Sequence, residues 1–300
     1  RTSGSEHSDH VQMDEEYRSK GYISAIDVLA PSEAAALRIS FEDWVSTLPD
    51  GNLAGDLRFR PHLHLPFIND IVHDETILSI VKKVLGTPNV LLWSSDFNVK
   101  PPRSEGFFSM HQDATYTGLS PAELGVTVWL AISDNVHEEG GCMTFVEGSH
   151  LHGQLRHVEE MGPESDSNKN NLLSRKQRVD DDGATDGKKI VASLRAGQAS
   201  FHHFYLLHKS GPNRTDAHRV GLALRYIAAS VRQTGRVREA VTLVAGKMEH
   251  EGFDLEPILP FGMAATDADV EGGKAAHRDS MRRESANYFD GTDNVKAYDE

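Results

Sequence analysis

Sixteen histidines in 300 residues give this chain many ways to hold a metal. One cheap pattern, His-x-Asp or His-x-Glu, recurs along it at His7–Asp9, His73–Glu75, His111–Asp113, His137–Glu139, His157–Glu159 and His277–Asp279. The chemistry at stake is well defined: two neutral imidazoles and one carboxylate on a common face bind ferrous iron and leave coordination positions open. Such a pair serves only from a rigid strand that faces a cavity. His7 lies near the first residue of the chain and His277 in a charged tail. His73–Glu75 stands at a helix start, where the acid serves the helix dipole. His137–Glu139 falls in the turn "SDNVHEEGG", and His157–Glu159 opens a polar stretch. Only His111–Asp113 leaves an apolar strand, "GFFSM", on which residues i and i+2 point to one face. Gln112, between them, is expected to point away.

A third ligand has one good source, "GQASFHHFYLLHKSGPNRTDAHR" (197–219). His208 follows the apolar run "FYLL" and precedes the turn "SGPN". His202 and His203 are adjacent, so on a strand only one of them looks inward. Placement in the strand ranks His208 first and His203 second. Arg219 opens the next strand and is placed to reach back toward the metal.

The elements that position these residues are legible from periodicity and turn signals. The first 86 residues read mainly as helix: one ending at Gly21, one over 31–48, and one over 74–86 with apolar residues at Ile77, Ile80, Val81, Val84 and Leu85 and a stop at Gly86. A short strand is expected over 22–29. From 89 the period shifts to that of strands, over 89–100, 125–133, 141–148, 190–204, 219–231 and 240–246, broken by Gly, Pro and Asp. Short strands in series imply a mainly β fold, a sandwich or barrel with the helices on one face. The polar stretch within 151–189 reads as a long loop over the barrel mouth, a lid. The segment 247–300 reads as a charged, partly helical tail without chemistry. The chain is read as one domain over 1–300: a helical N-terminal segment over 1–87, a β core over 88–246 and the tail.

Composition narrows the function classes. The formal charge of −14 lacks the basic stripe that nucleic acid requires. No apolar run approaches the roughly 20 residues of a membrane span. The single cysteine, Cys142, excludes an internal disulfide framework and a cysteine-cluster zinc site. That usage indicates a reducing compartment, the cytoplasm. No presequence pattern opens the chain, which starts at Arg1 rather than Met.

Three stretches, "MHQDATY", "VTVWLAISDNVHEEGGCMTFVEGSH" and "GQASFHHFYLLHKSGPNRTDAHRVGLALRYI", resemble the signatures of the phytanoyl-CoA dioxygenase family in order and spacing, over about residues 88–235. The resemblance implies a double-stranded β-helix of the jelly-roll, cupin-like kind, with N-terminal helices packed on one sheet. It also implies Fe(II), 2-oxoglutarate as co-substrate and O₂. In that reading His111, Asp113 and His208 hold the iron, and Arg219, eleven residues after His208, meets the far carboxylate of 2-oxoglutarate. A guanidinium fork matches a carboxylate bidentately, as lysine does not. Ser210 resembles the hydroxyl partner of the same carboxylate. Thr144, Trp129 and Asn98 resemble further co-substrate contacts. The implied reaction couples decarboxylation of 2-oxoglutarate to succinate with hydroxylation of a substrate C–H bond. Related halogenases carry Gly or Ala in place of the carboxylate ligand, so Asp113 points to hydroxylation.

The segments "NLLSRKQ" and "RYIAASVRQT" resemble a subgroup that hydroxylates small polar molecules, 2-aminoalkylphosphonates among them. Arg175, Arg225 and Arg232 are then candidate contacts to a phosphonate or carboxylate, with Tyr116, Asn171 and His203 as further pocket residues. A core role for His203, hydrogen-bonded in the interior, is the competing reading. Alternatives to a small-molecule hydroxylase are a natural-product tailoring hydroxylase or desaturase acting on a larger apolar or acyl substrate, and a non-catalytic metal-binding barrel. The expected partner is a small molecule, with no nucleic acid and no membrane; the oligomeric state is open.

Overall fold

The computed structural model describes residues 13–49, 53, 55–159, 169–173, 177–180 and 184–289. The chain divides into two compact units. The first holds 1–27, 99–117 and 127–221, and the second 28–98, 118–126 and 222–300. Among the described residues, fifteen strands and six α-helices make the chain mainly β with several helices.

In the first unit, helix α1 (13–20) ends where Gly21 turns to φ +84°. Strand β1 (Tyr22–Asp27) pairs antiparallel with β10 (Gln198–His203). A four-stranded sheet runs β3 (Phe108–His111), β11 (His208–Ser210), β6 (Met143–Val146), β9 (Lys189–Ala192). Helix α5 (Ala114–Thr117) follows β3 at once. The stretch expected to be an unstructured lid carries a strand pair, β7 (His157–Glu159) with β8 (Gln177–Val179). Residues 170–172 also lie along Phe107, through Phe107 N–H to Asn170 O and Leu172 N–H to Phe107 O. The described part of this polar stretch gives its backbone groups to neighbouring strands, a gain that side-chain composition does not display.

In the second unit, α2 (Pro31–Ser46) sets Phe41 and Trp44 against Phe97 of β2 (Val90–Lys100), with ring centroids 4.9 and 5.5 Å apart. A helix absent from the sequence reading, α3 (Pro66–Val72), is held by Tyr226 Oη donating to Val72 O at 3.0 Å. Helix α4 (Glu75–Leu85) is capped by Asp74, which accepts from Ile77 N–H at 3.0 Å, and stops at Gly86 with φ +67°. It buries Ile77, Leu78, Ile80, Val81 and Leu85, each contributing about 1.5–3 kcal/mol on burial. Strand β14 (Ala240–Ala245) pairs with β2, and β15 (Asp254–Leu255) with β14.

The charged tail is instead helix α6 (Asp267–Phe289), packed through polar groups. Arg60, 1% exposed, bonds Glu256 at 2.9 Å and Glu284 of α6 at 3.2 Å. Ser280 also donates to Glu256, at 2.7 Å, and Asn287 to Glu239 at 2.8 Å. Gly273 makes the approach possible, because a Cβ there would lie 1.7 Å from Leu63 O. A helix that buries ions rather than an apolar stripe has no amphipathic signature, which is why it read as a tail.

Strands β5 (Gly125–Ala131), β12 (Arg219–Ala228) and β2 run from one unit into the other, in a seven-stranded order β1-β10-β5-β12-β2-β14-β15. The strand order closes neither this sheet nor the four-stranded one, so the expected barrel takes the form of open sheets. Among the described residues no helix is long and apolar enough to cross a membrane.

Candidate metal centre

All three expected ligands come from the first unit, and strand pairing brings them together. His111 ends β3, His208 starts β11, and the two are register partners in the antiparallel pair. Paired residues share a face, and the imidazole centroids stand 4.1 Å apart. The chain turns into α5 immediately after, with Tyr116 N–H bonded to Asp113 O at 3.1 Å. That turn aims Asp113 Oδ1 at the imidazoles, 3.9 Å from Nε2 of each. One ligand atom from each of the three residues lies within 4.8 Å of the others, and all three residues are buried.

Neighbouring groups set the chemistry of this trio. His111 Nδ1 donates to Ser109 O at 2.7 Å and His208 Nδ1 to Leu206 O at 2.9 Å. A carbonyl can only accept, so each Nδ1 carries the hydrogen and each Nε2 keeps its lone pair for a metal. Burial first, and the repulsion a proton on His111 would add second, push the His208 imidazole well below its usual range, so it stays neutral. The Thr127 hydroxyl donates to Asp113 Oδ2, which leaves Oδ1 to face the imidazoles. His202 Nε2 lies 3.5 Å from the same Oδ2. Gln112 points away as expected: its amide donates to Gly153 O and Tyr205 O at 2.8 and 2.7 Å and accepts from Leu155 N–H. Two neutral imidazoles and one oriented carboxylate form a donor set that fits ferrous iron with open positions.

A cationic group stands on the adjoining strands. Arg219, 2% exposed, lies with its guanidinium 5.2 Å from the centre of the Trp129 ring. Gly221, two residues on, gives the ring its space: a Cβ there would lie 1.9 Å from Trp129. Burial lowers the Arg219 pKa to about 10, so it remains charged at neutral pH. Ser210 shares β11 with His208 and is buried.

The sequence profile of the phytanoyl-CoA dioxygenase family matches residues 17–221, which contain every residue of this centre. The chain belongs to this family. A phytanoyl-CoA dioxygenase domain-containing protein 1 from Danio rerio is 30% identical over 159 residues, 53% of this chain and 52% of its own length. A probable alpha-ketoglutarate-dependent hypophosphite dioxygenase from Stutzerimonas stutzeri is 30% identical over 176 residues, 57% of this chain and 56% of its own. The matched stretch thus spans about half the length of these relatives. Among solved structures, the non-heme monooxygenase ThoJ in its apo form superposes with a TM-score of 0.73 at 26% identity, over 95% of this chain and 99% of its own. The fold expected of the phytanoyl-CoA dioxygenase family, a cupin-like jelly roll, is the fold found.

Several expected contacts lie elsewhere. Thr144 pairs with the exposed Lys209, and the neighbouring pairs are Phe145 with His208 and Met143 with Ser210. Alternation therefore puts Thr144 on the face opposite His208, and the residues on the site face are Phe145 and Met143. His203 also points away: its Nδ1 accepts from Tyr205 N–H at 3.0 Å, and its ring lies among Tyr17, His150 and Tyr205. The inward member of the adjacent pair is His202, its ring 4.8 Å from His208 and 5.4 Å from Phe145. Both strand faces are buried around 202, so polarity could not choose between them. Tyr116 stays beside the trio, its ring 5.7 Å from His111. Asn171 is engaged with the strand before the ligand, its amide donating to Ser109 Oγ at 3.0 Å.

In the second unit, Asn98 is half-buried on β2, and Arg232 is exposed on β13 (Arg232–Gln233). Arg225 is bonded to Asp96 and to Ser94, its charge already met by a carboxylate. Arg175 lies outside the described residues. Sequence reading missed Thr127 and His202. Thr127 carried a usable signal, being two residues before Trp129 on one strand and so on its face.

Proposed function

We propose that this chain is an Fe(II)- and 2-oxoglutarate-dependent oxygenase that hydroxylates a C–H bond of a small polar molecule. The convergence of His111 and His208, from one register-matched strand pair, with Asp113 from the turn that follows, carries the reading. His111, Asp113 and His208 would hold the iron, while Arg219 and Ser210 would hold the far carboxylate of 2-oxoglutarate. Bound together, iron and co-substrate supply the oxidising power that the side chains lack. The protein's own role is positional. Ser109 O and Leu206 O fix the imidazole tautomers, Thr127 orients the carboxylate, and the buried rings of Phe145 and Trp129 exclude water. Asp113 occupies the position whose loss would open a site for halide, so hydroxylation is the outcome we assign.

Within that class, the phosphonate reading draws support from the similarity to a probable hypophosphite dioxygenase. It loses one of its proposed cations, because Arg225 is paired with Asp96. We retain a small polar substrate as the class and treat the phosphonate as one member of the screen. Anaerobic addition of Fe(II) and 2-oxoglutarate should give the weak visible charge-transfer band of the chelate. Succinate release is then screened against alkylphosphonates, hypophosphite, amino acids, acyl-CoAs and polyketides. The absence of any band refutes the oxygenase reading. Turnover confined to the acyl-CoAs or polyketides replaces the small polar substrate with the tailoring alternative.

A further inference from the structure

A buried lysine adjoins Ser210. Lys100, at the end of β2, is 0% exposed. Its Nζ donates to Ser210 Oγ at 2.7 Å and to Gly211 O, and lies 5.4 Å from the centre of the Phe108 ring. Neither oxygen partner carries a charge. The ionisable groups it senses are Arg219 of β12, which repels it, and the thiol of Cys142 just before β6. An ammonium taken wholly out of water without an anion is expensive to keep. A buried lysine without an anion, beside a buried serine and near enough to Arg219 to sense its charge, makes a seat for an anion.

We propose that Lys100 is a positioning residue for the distal carboxylate of the co-substrate, completing with Arg219 a two-cation seat that acts through Ser210. The proposal rests on the co-substrate reading given above. An ammonium has three N–H donors and no lone pair. By donating to Ser210 Oγ, Lys100 occupies a lone pair of that oxygen, and the hydroxyl hydrogen must point elsewhere, toward an acceptor. A carboxylate is the acceptor that satisfies the hydroxyl, the guanidinium and the third ammonium N–H together.

The seat makes binding proton-coupled. Burial first, and Arg219 second, hold the Lys100 ammonium down to about 6 when no anion is present, so most of it is neutral at pH 7.5. An arriving carboxylate favours the charged form and draws a proton onto Nζ. The expected uptake is about one proton per bound 2-oxoglutarate at pH 7.5, falling to about half near pH 6, where the lysine is already half charged.

The test is calorimetric titration of the whole chain, loaded anaerobically with Mn(II), in two buffers of different ionisation enthalpy. The ligands are 2-oxoglutarate and, at saturating concentration, 2-oxobutyrate, which has the same chelating end and no distal carboxylate. Uptake with 2-oxoglutarate and none with 2-oxobutyrate is the expected result. Lys100→Met should abolish the uptake and weaken 2-oxoglutarate at least tenfold, leaving 2-oxobutyrate affinity unchanged. If that variant does not fold, the two-ligand comparison on the unaltered chain decides. Equal uptake with both ligands, or none with 2-oxoglutarate, overturns the role of Lys100. A charge-transfer band formed without proton uptake would do so while leaving the oxygenase reading intact, whereas failure of the unaltered chain to bind 2-oxoglutarate overturns both.

Discussion

Thr127→Val tests whether the carboxylate ligand is held ready by its neighbour. Valine keeps the branched shape at a buried strand position and removes only the hydroxyl that donates to Asp113 Oδ2. Asp113 is 3% exposed, so water does not substitute for the lost donor. His202 Nε2 also lies near that oxygen, at 3.5 Å. A hydrogen bond to a charged group contributes roughly 1.5–3 kcal/mol, and at about 1.4 kcal/mol per tenfold that is on the order of 10- to 100-fold in an equilibrium constant. The same range, about 10- to 100-fold in metal affinity, follows loss of the group that orients a ligand. The expected outcome is therefore Co(II) and Fe(II) affinity reduced by about one to two orders of magnitude, read from Co(II) absorption and from the Fe(II)–2-oxoglutarate band under nitrogen. Thr127→Ser, which restores the donor, should recover most of the loss. A Val variant that melts like the unaltered chain and binds both metals within a factor of about two would refute the argument that Thr127 orients Asp113.

Three further outcomes follow from the same structure. Thr144→Ala should leave 2-oxoglutarate affinity unchanged in an anaerobic spectroscopic titration, because the strand register turns that side chain away from His208; a tenfold loss would show the register to be wrong. Arg60→Met should cost about 3–5 kcal/mol in urea unfolding, since it strands Glu256 as a buried charge without its cation. Glu256 also makes stability depend on acid. Burial raises its pKa, but the Arg60 charge and the hydrogen bonds from His62 and Ser280 outweigh that and bring it from the ordinary 4.5 to about 2. Its contribution is thus complete above the unfolded value and is lost as pH falls from 4.5 toward 2, so Glu256→Gln should flatten the acid limb of a melting-temperature profile in that window.

How much of this was legible in the sequence depended on whether the information was local. His111, Asp113 and Arg219 could be singled out because strand parity and turn residues are written in neighbouring positions, and the helix over α4 because its cap, apolar stripe and stop all lie within a dozen residues. Thr144 and His203 were misplaced because alternation showed that each differs from its neighbour, Phe145 or His202, without showing which one faces in; that was set by pairing with strands distant in sequence. Arg225 was offered as a substrate cation because its carboxylate, Asp96, lies 129 residues away in sequence. Helix α6 read as a tail because it is fastened by buried ions.

The residue types by themselves determined the class of chemistry. One His-x-Asp after an apolar strand, one histidine after another, and an arginine at the start of the next are residue types able to hold iron and to meet a carboxylate. Tertiary structure alone decided which atoms meet. Register pairs His208 with His111, the turn into α5 aims Asp113 between them, and Lys100, distant in sequence, is buried against Ser210 within reach of the Arg219 charge. The physical reason is that ligand identity is a property of side chains, while ligand geometry and pKa are properties of burial and of contacts between strands far apart in sequence.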